Sequence, residues 1–216
     1  MDLVPAQGTF SPEELARAEQ MGSTRLRHRF LARRWMARSL LAGATGERPG
    51  GLAIEARCER CGRLHPASPL AGERAEVWWS ASSSAGLAAV ALAPWRVGVD
   101  IEERRERPRW QRIARRFYSE AECRAVAGSA DRFLELWTLK EAYLKAIGIG
   151  LVGGLGSLEC SGLGGPPEEW MESAAHPGWR FRRLDPAPGV VAALAVEGAP
   201  DRIELRRWTQ AAGEAR

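Results

Sequence analysis

The chain has 216 residues, 45% of them hydrophobic and 27% charged, with a formal charge of +4. That balance excludes a disordered or fibrous chain, and no apolar run nears the roughly 18 residues of a membrane span. Of 31 basic residues, 29 are arginine; the two lysines, Lys140 and Lys145, fall in one short stretch. Arginine is a fixed, forked charge, whereas lysine is compact and can release its proton, so the retained pair marks a candidate site. The start, Met1-Asp2-Leu3-Val4-Pro5, lacks the basic and apolar regions of a leader. Four irregularly spaced cysteines form no disulfide framework, and a cytoplasmic protein is expected.

In chain order, Ser11-Pro12-Glu13-Glu14 predicts a helix opened by a capping box, with Pro12 at its first position. Apolar residues at helical spacing predict a second helix over 25–41, whose opposite face carries Arg29, Arg33, Arg34 and Arg38. A Gly/Pro-rich loop follows over 43–51. Strands are expected at 52–56, 75–79, 87–92 and 97–102, and a charged connector at 103–109. Helices resume at 110–117 and, from the capping box Ser119-Glu120-Ala121-Glu122, towards Ala127. The longest helix is predicted over 131–147, with Gly148 beyond its end. Strands at 158–160, 179–184, 190–196 and 203–208 close the chain.

Asp100 and Glu102 share one face of a strand, and two carboxylates there suit a hard divalent cation or, more simply, a solvated strand end. Glu141 and Lys145 share one helix face at i,i+4, either as a surface ion pair or as part of a site, and Lys140 adjoins Glu141. The arginine face of the second helix can grip phosphates bidentately or simply face water. Cys58, Cys61 and His65 give only three potential zinc ligands. The glycines of 148–156 lack the Lys-Ser/Thr ending of a phosphate-binding P-loop. A metal-dependent nuclease needs Glu-x-Lys on a strand, but here Lys140 precedes Glu141 on a helix.

Three segments, in order, resemble the signature of the 4′-phosphopantetheinyl transferases. Val97-Gly98-Val99-Asp100-Ile101-Glu102 is similar to that family's G-(V/I)-D-(I/V)-E strand. Phe117-Tyr118-Ser119-Glu120-Ala121-Glu122 is similar to its F-(F/Y)-S-x-x-E segment, and Trp137 to Lys145 to its W-x-x-K-E-A-x-x-K helix. The resemblance is to the smaller monomeric type that serves peptide and polyketide synthases. It implies an α+β fold of two similar lobes related by a pseudo-twofold. Each lobe would be a small antiparallel sheet packed with helices, residues 1–96 and 97–216, with the active site between them. The implied activity is transfer of the phosphopantetheine arm of coenzyme A to a serine of an acyl or peptidyl carrier protein, releasing 3′,5′-ADP. By the same resemblance Asp100, Glu102 and Glu141 would ligate Mg²⁺, or Mn²⁺ in its place. Glu141, Lys145 and Lys140 would be catalytic. Arg29, Arg33, Arg34, Ser80, Ser82, Lys140 and Lys145 would hold coenzyme A. No nucleic acid or membrane partner is implied.

Two positions depart from the family pattern. Ser80-Ala81-Ser82 stands where the family has S-H-S, and His65-Pro66-Ala67-Ser68 lacks the basic residue of H-G-(K/R)-P. Both missing groups are associated with the 3′-phosphate of coenzyme A in relatives. They motivate an alternative, a degenerate member that binds or regulates without catalysing. The carrier is expected to be a small acidic helical domain received by the arginines of 104–116 and the 148–157 region.

Overall fold

The computed structural model describes residues 8–57, 64–66, 68–72, 76–149, 154–160, 169–200 and 202–206. Helix α1 (Pro12–Glu19) starts as predicted: the Ser11 hydroxyl accepts from the Glu14 N–H, and the Glu14 carboxylate accepts from the Ser11 N–H. Helix α2 (Thr24–Thr45) runs past the predicted end at Leu41 and through Gly43. It stops at Gly46, whose φ of 88° is open to glycine and strained for other residues. A two-stranded ribbon, β1 (Glu55–Arg57) with β2 (Leu64–Pro66), follows. Strands β3 (Leu70–Ala71), β4 (Glu76–Ser84) and β5 (Leu87–Ala93) form an antiparallel sheet in that order. Ala37 and Leu41 of α2 pack on Leu70, Val77 and Trp79, with Leu52 and Ile54 completing this core.

The second sheet holds β6 (Val97–Glu103), β7 (Met171–Glu172), β8 (Trp179–Ala187) and β9 (Val190–Glu197), all antiparallel in the order β6-β9-β8-β7. Helices α3 (Trp110–Phe117), α4 (Glu120–Ala125) and α5 (Ala130–Ala146) intervene in sequence. Phe133, Leu136, Leu139 and Ala142 of α5 join Phe181, Ala193 and Ala195 of the sheet in the largest core. The opposite face, Val97, Val99, Leu194 and Val196, packs against Trp78, Ala89, Ala91 and Ala93 of β4 and β5. The protein is therefore α+β, with two antiparallel sheets each packed against helices, as the resemblance implied.

Two predicted strands fail. Residues 158–160 and the described part of 203–208 have no strand pairing. The backbone around 158–160 is bonded to side chains instead, because the Leu158 carbonyl accepts from Lys140 and the Cys160 N–H donates to Glu122.

Candidate functional site

Strand β6 and helix α5 touch backbone to backbone because Gly98 has no side chain. A Cβ there would stand 1.8 Å from the Ala142 carbonyl oxygen and 2.7 Å from the Ala146 nitrogen. Only glycine permits that approach. Two residues further on, alternation puts Asp100 on the same face as Gly98, opposite the turn of α5 that carries Glu141 and Lys145.

Asp100 is only 5% exposed. Its Oδ1 accepts from the Lys145 ammonium at 2.7 Å and from the Ser82 hydroxyl at 2.8 Å. Lys145 also donates to the Val99 carbonyl at 3.2 Å, so it is tied to β6 rather than to Glu141 on its own helix. Asp100 Oδ2 and Glu141 Oε1 are both buried and have no hydrogen-bond partner. Burial pushes the Glu141 carboxyl up to about 7; the Asp100 and Glu102 charges add to the rise and Lys145 opposes it. Buried carboxylate oxygens are ordinarily partnered, so two orphans from facing elements form a place with surplus negative charge. Two hard oxygens of this kind fit a divalent cation that completes its shell with water and phosphate.

Glu102 does not join them. Its Oε2 accepts from Arg107 at 2.7 Å and from the Ser84 hydroxyl at 3.4 Å. Among the described residues, no three His, Cys, Asp or Glu side chains gather closely enough to hold an ion. Of the three expected carboxylates, Asp100 and Glu141 keep an unpartnered oxygen, and Glu102 is paired with Arg107 from the connector.

Strand β4 supplies the wall facing β6. Ser80 accepts from the Val99 N–H at 3.1 Å, Ser82 donates to Asp100, and Ser84 accepts from the Glu103 N–H at 3.2 Å. Their spacing of two puts all three on one face. Ala81 lies on the other face and packs towards the α2 core. The alanine read as a lost ligand group therefore belongs to packing, and the argument for a degenerate protein from Ala81 falls. Ala67, Cys58 and Cys61 lie outside the described residues, as does the side chain of His65.

Lys140 lies in the interior. It is 0% exposed, pairs with Glu122 at 2.8 Å, and donates to the carbonyls of Leu155, at 2.8 Å, and Leu158. Glu122 closes the α4 capping box and also accepts from the Cys160 N–H. Lys140 therefore fastens α5 to α4 and to the 155–158 turn, with its ammonium turned away from solvent.

Arg34 is likewise buried, pairing with Glu55 and lying 3.6 Å from Glu14, so it is not presented to a ligand. Arg38, beside it, pairs with Glu14 at 2.8 Å. Arg33 makes no ion pair among the described residues; burial first, then Arg34, Arg17 and Arg29, press its guanidinium below the usual range. Arg29 donates to the Ser83 carbonyl at 3.1 Å. It lines a hollow of about 470 Å³ with Arg25, Leu26, Ser84, Glu102 and Arg105.

Known proteins match this sequence. The model of the 4′-phosphopantetheinyl transferase superfamily matches residues 96–195, from the residue before β6 into β9. HetI, a 4′-phosphopantetheinyl transferase of Nostoc sp., is 33% identical over 199 residues, which cover 88% of this chain and 79% of that protein. The chain belongs to the 4′-phosphopantetheinyl transferase superfamily. A Synechocystis sp. protein with a provisional name for the same activity is 30% identical over 160 residues, 71% of this chain and 63% of its own. The chain is thus an enzyme that moves phosphopantetheine from coenzyme A to a carrier protein, in a metal-dependent family. The matched stretch includes Asp100, Glu141 and Lys145. Among the described residues no helix is long and apolar enough to cross a membrane.

Proposed function

We propose that Asp100 and Glu141 hold Mg²⁺, or Mn²⁺, at the junction of β6 and α5, and that the transfer takes place there. The observation that carries this is the pair of buried, unpartnered oxygens, Asp100 Oδ2 and Glu141 Oε1. When bound, the ion supplies positive charge to the pyrophosphate of coenzyme A and to the charge that builds on its leaving phosphate. The bond formed joins the carrier serine Oγ to the phosphorus bearing the pantetheine arm. The bond broken is that phosphorus to the bridging oxygen, which departs with 3′,5′-ADP.

The protein's own groups do the rest. Glu141, drawn up to about 7, is suited to take the serine proton near neutral pH. Lys145, steadied by Asp100 and Val99, places an ammonium beside the pyrophosphate and can protonate the leaving oxygen. Ser82 holds Asp100 in line, and Ser80 and Ser84 keep β6 in place. The hollow lined by Arg25, Arg29 and Arg105 receives the phosphates of coenzyme A, with Arg33 nearby on α2. Such positioning and electrostatics account for most of phosphoryl-transfer catalysis.

The same reading has lobes meeting at residues 96/97. It has the enzyme acting as a cytoplasmic monomer, with no nucleic acid or membrane partner, on the carriers of polyketide or nonribosomal peptide synthases. The test is a mass shift on apo carrier proteins with coenzyme A, with and without Mg²⁺. Asp100→Ala and Glu141→Ala should each lose at least about a hundredfold in rate while keeping the circular dichroism of the wild type. Unchanged transfer by either variant would falsify the assignment.

A further inference from the structure

Coenzyme A is gripped at the hollow only if the arginines lining it are aimed inward. Arg25 and Arg29 are carried by helix α2. Arg105 belongs to no element: β6 ends at Glu103, and residues 104–107 form neither helix nor strand. An exposed arginine on such a stretch has rotamer and backbone freedom to lose when it meets a phosphate. Its neighbour removes much of that freedom. The Arg104 N–H donates to the Gly189 carbonyl at 2.8 Å, carrying the pairing of β6 with β9 one residue past the strand. The Arg104 guanidinium then reaches α5, where it donates to Glu135 Oε1 at 3.0 Å and lies 3.0 Å from Asp131. Glu135 is itself held from β8, because its Oε2 accepts from Arg183 at 2.7 Å. Asp131 is 69% exposed and screened by water, whereas Glu135 is 25% exposed, so Glu135 makes the firmer tie.

Successive side chains of an extended chain point to opposite sides. Arg104 is drawn to α5, and Arg105 goes the other way, into the wall of the hollow beside Glu103, Ser84 and Arg29. We propose that Glu135 is a positioning residue for coenzyme A. Through Arg104 it fixes the chain on which Arg105 stands, and so sets that guanidinium in place before a phosphate arrives. Glu135 does not meet the phosphate itself. It lines a different hollow, of about 250 Å³, with Thr138, Val191 and Ala192 on the α5 side of the sheet. This role rests on the first hollow being the seat of the coenzyme A phosphates. The gain is one of preorganisation, so it falls on binding and leaves the transfer step alone.

Steady-state transfer by the full chain to a saturating apo carrier protein, with Mg²⁺ present and coenzyme A varied, tests it. Arg105→Gln should raise KM for coenzyme A about tenfold, as the loss of a charge-assisted contact does. Glu135→Gln and Arg104→Gln should each raise it roughly three- to fivefold, with kcat within about twofold of the wild type. Arg104→Gln breaks the same pair from its other end and carries the test if Glu135→Gln folds poorly. In an Arg105→Gln background neither change should add more than about 1.5-fold, because the residue they act through is gone. A merely structural role would lower Tm without that dependence on Arg105. Three results overturn the positioning role and leave the hollow its ligand: a rise in KM as large in the Arg105→Gln background as without it, a fall in kcat at unchanged KM, or wild-type constants in both variants while Arg105→Gln raises KM. If Arg105→Gln and Arg29→Gln both leave KM unchanged, the hollow does not seat coenzyme A, and the positioning role falls with that reading.

Discussion

Glu14 on α1 sits between Arg34 and Arg38 of α2, with Glu55 on the far side of Arg34. There, two carboxylates meet Arg34, Arg38 and, at the exposed edge, Arg17, 3.4 Å from Glu55, and Arg38 spends its remaining donors on the carbonyls of Pro49 and Leu52. Around β6 and α5 the count differs. Asp100 and Glu141 face a single ammonium, Lys145, whereas Glu14, which also keeps one oxygen without a hydrogen bond, lies against two guanidiniums. Both clusters join charged residues of a helix to a carboxylate on a strand, Glu55 of β1 in the first and Asp100 of β6 in the second. The first cluster is scaffold, because each of its carboxylates is already matched by guanidiniums. An unbalanced one is a seat for a charge that arrives from outside. The two lysines divide in the same way: Lys140 is used up by Glu122 and two carbonyls, whereas Lys145 stands at the unbalanced cluster.

The contrast can be broken most forcefully at Lys140. Replacing it with methionine leaves Glu122 buried without its cation, and should cost about 3–5 kcal/mol in urea unfolding. Adding Glu122→Leu should restore much of that. A stable but inactive Lys140→Met would instead return this lysine to the chemistry. Next in size is Gly98→Ala, which forces β6 off α5. A loss of about 1–3 kcal/mol is expected, together with a fall in kcat out of proportion to it. A smaller effect separates neighbours on α2. Arg34→Gln should lower stability by about 2 kcal/mol and leave coenzyme A affinity within roughly twofold. Arg29→Gln should do the reverse, weakening coenzyme A about tenfold with little change in Tm.

The smallest expected effect is that of pH. Glu141 has its folded pKa raised to about 7 from 4.5. The folded state therefore holds that proton more tightly than the unfolded chain does. Its contribution is fully present below the unfolded value and is lost as pH rises through about 7. Because the group is partly open to solvent, the effect is about 1 kcal/mol, or roughly 2–4 °C in Tm. In metal-free buffer, Glu141→Gln should gain on the wild type in Tm from pH 5 to pH 8. A constant difference across that range would mean that Glu141 ionises like an ordinary surface carboxylate.

Much of this was legible in the sequence where local chemistry decides. Both capping boxes form as read, at Ser11 and Ser119, and α3 keeps its predicted limits. Gly148, just beyond α5, takes a φ of 72°. Strand β4 was harder. Its run of serines has little strand character of its own, yet it extends to Ser84 because the hydroxyls find β6. Asp100, Glu141 and Lys145 were legible through their motif. The roles of Lys140 and Arg34 were not, since periodicity places a side chain on a face but does not reveal which carboxylate lies across from it. Glu122 was read only as a cap, although its other oxygen anchors Cys160 and Lys140. Arg107 had no signal at all, being one of several arginines in a charged connector.

The serine wall of β4 has one more consequence. Where β4 meets β6, three hydroxyls hold the described contact, and the middle one ends on Asp100. The joint between the two sheets and the electrostatics of the reacting centre thus share an atom. A variant that tightens or loosens that joint at Ser82 also retunes Asp100. Selection for a more robust molecule and selection for a faster one therefore act on the same hydroxyl, and neither can be followed far without moving the other.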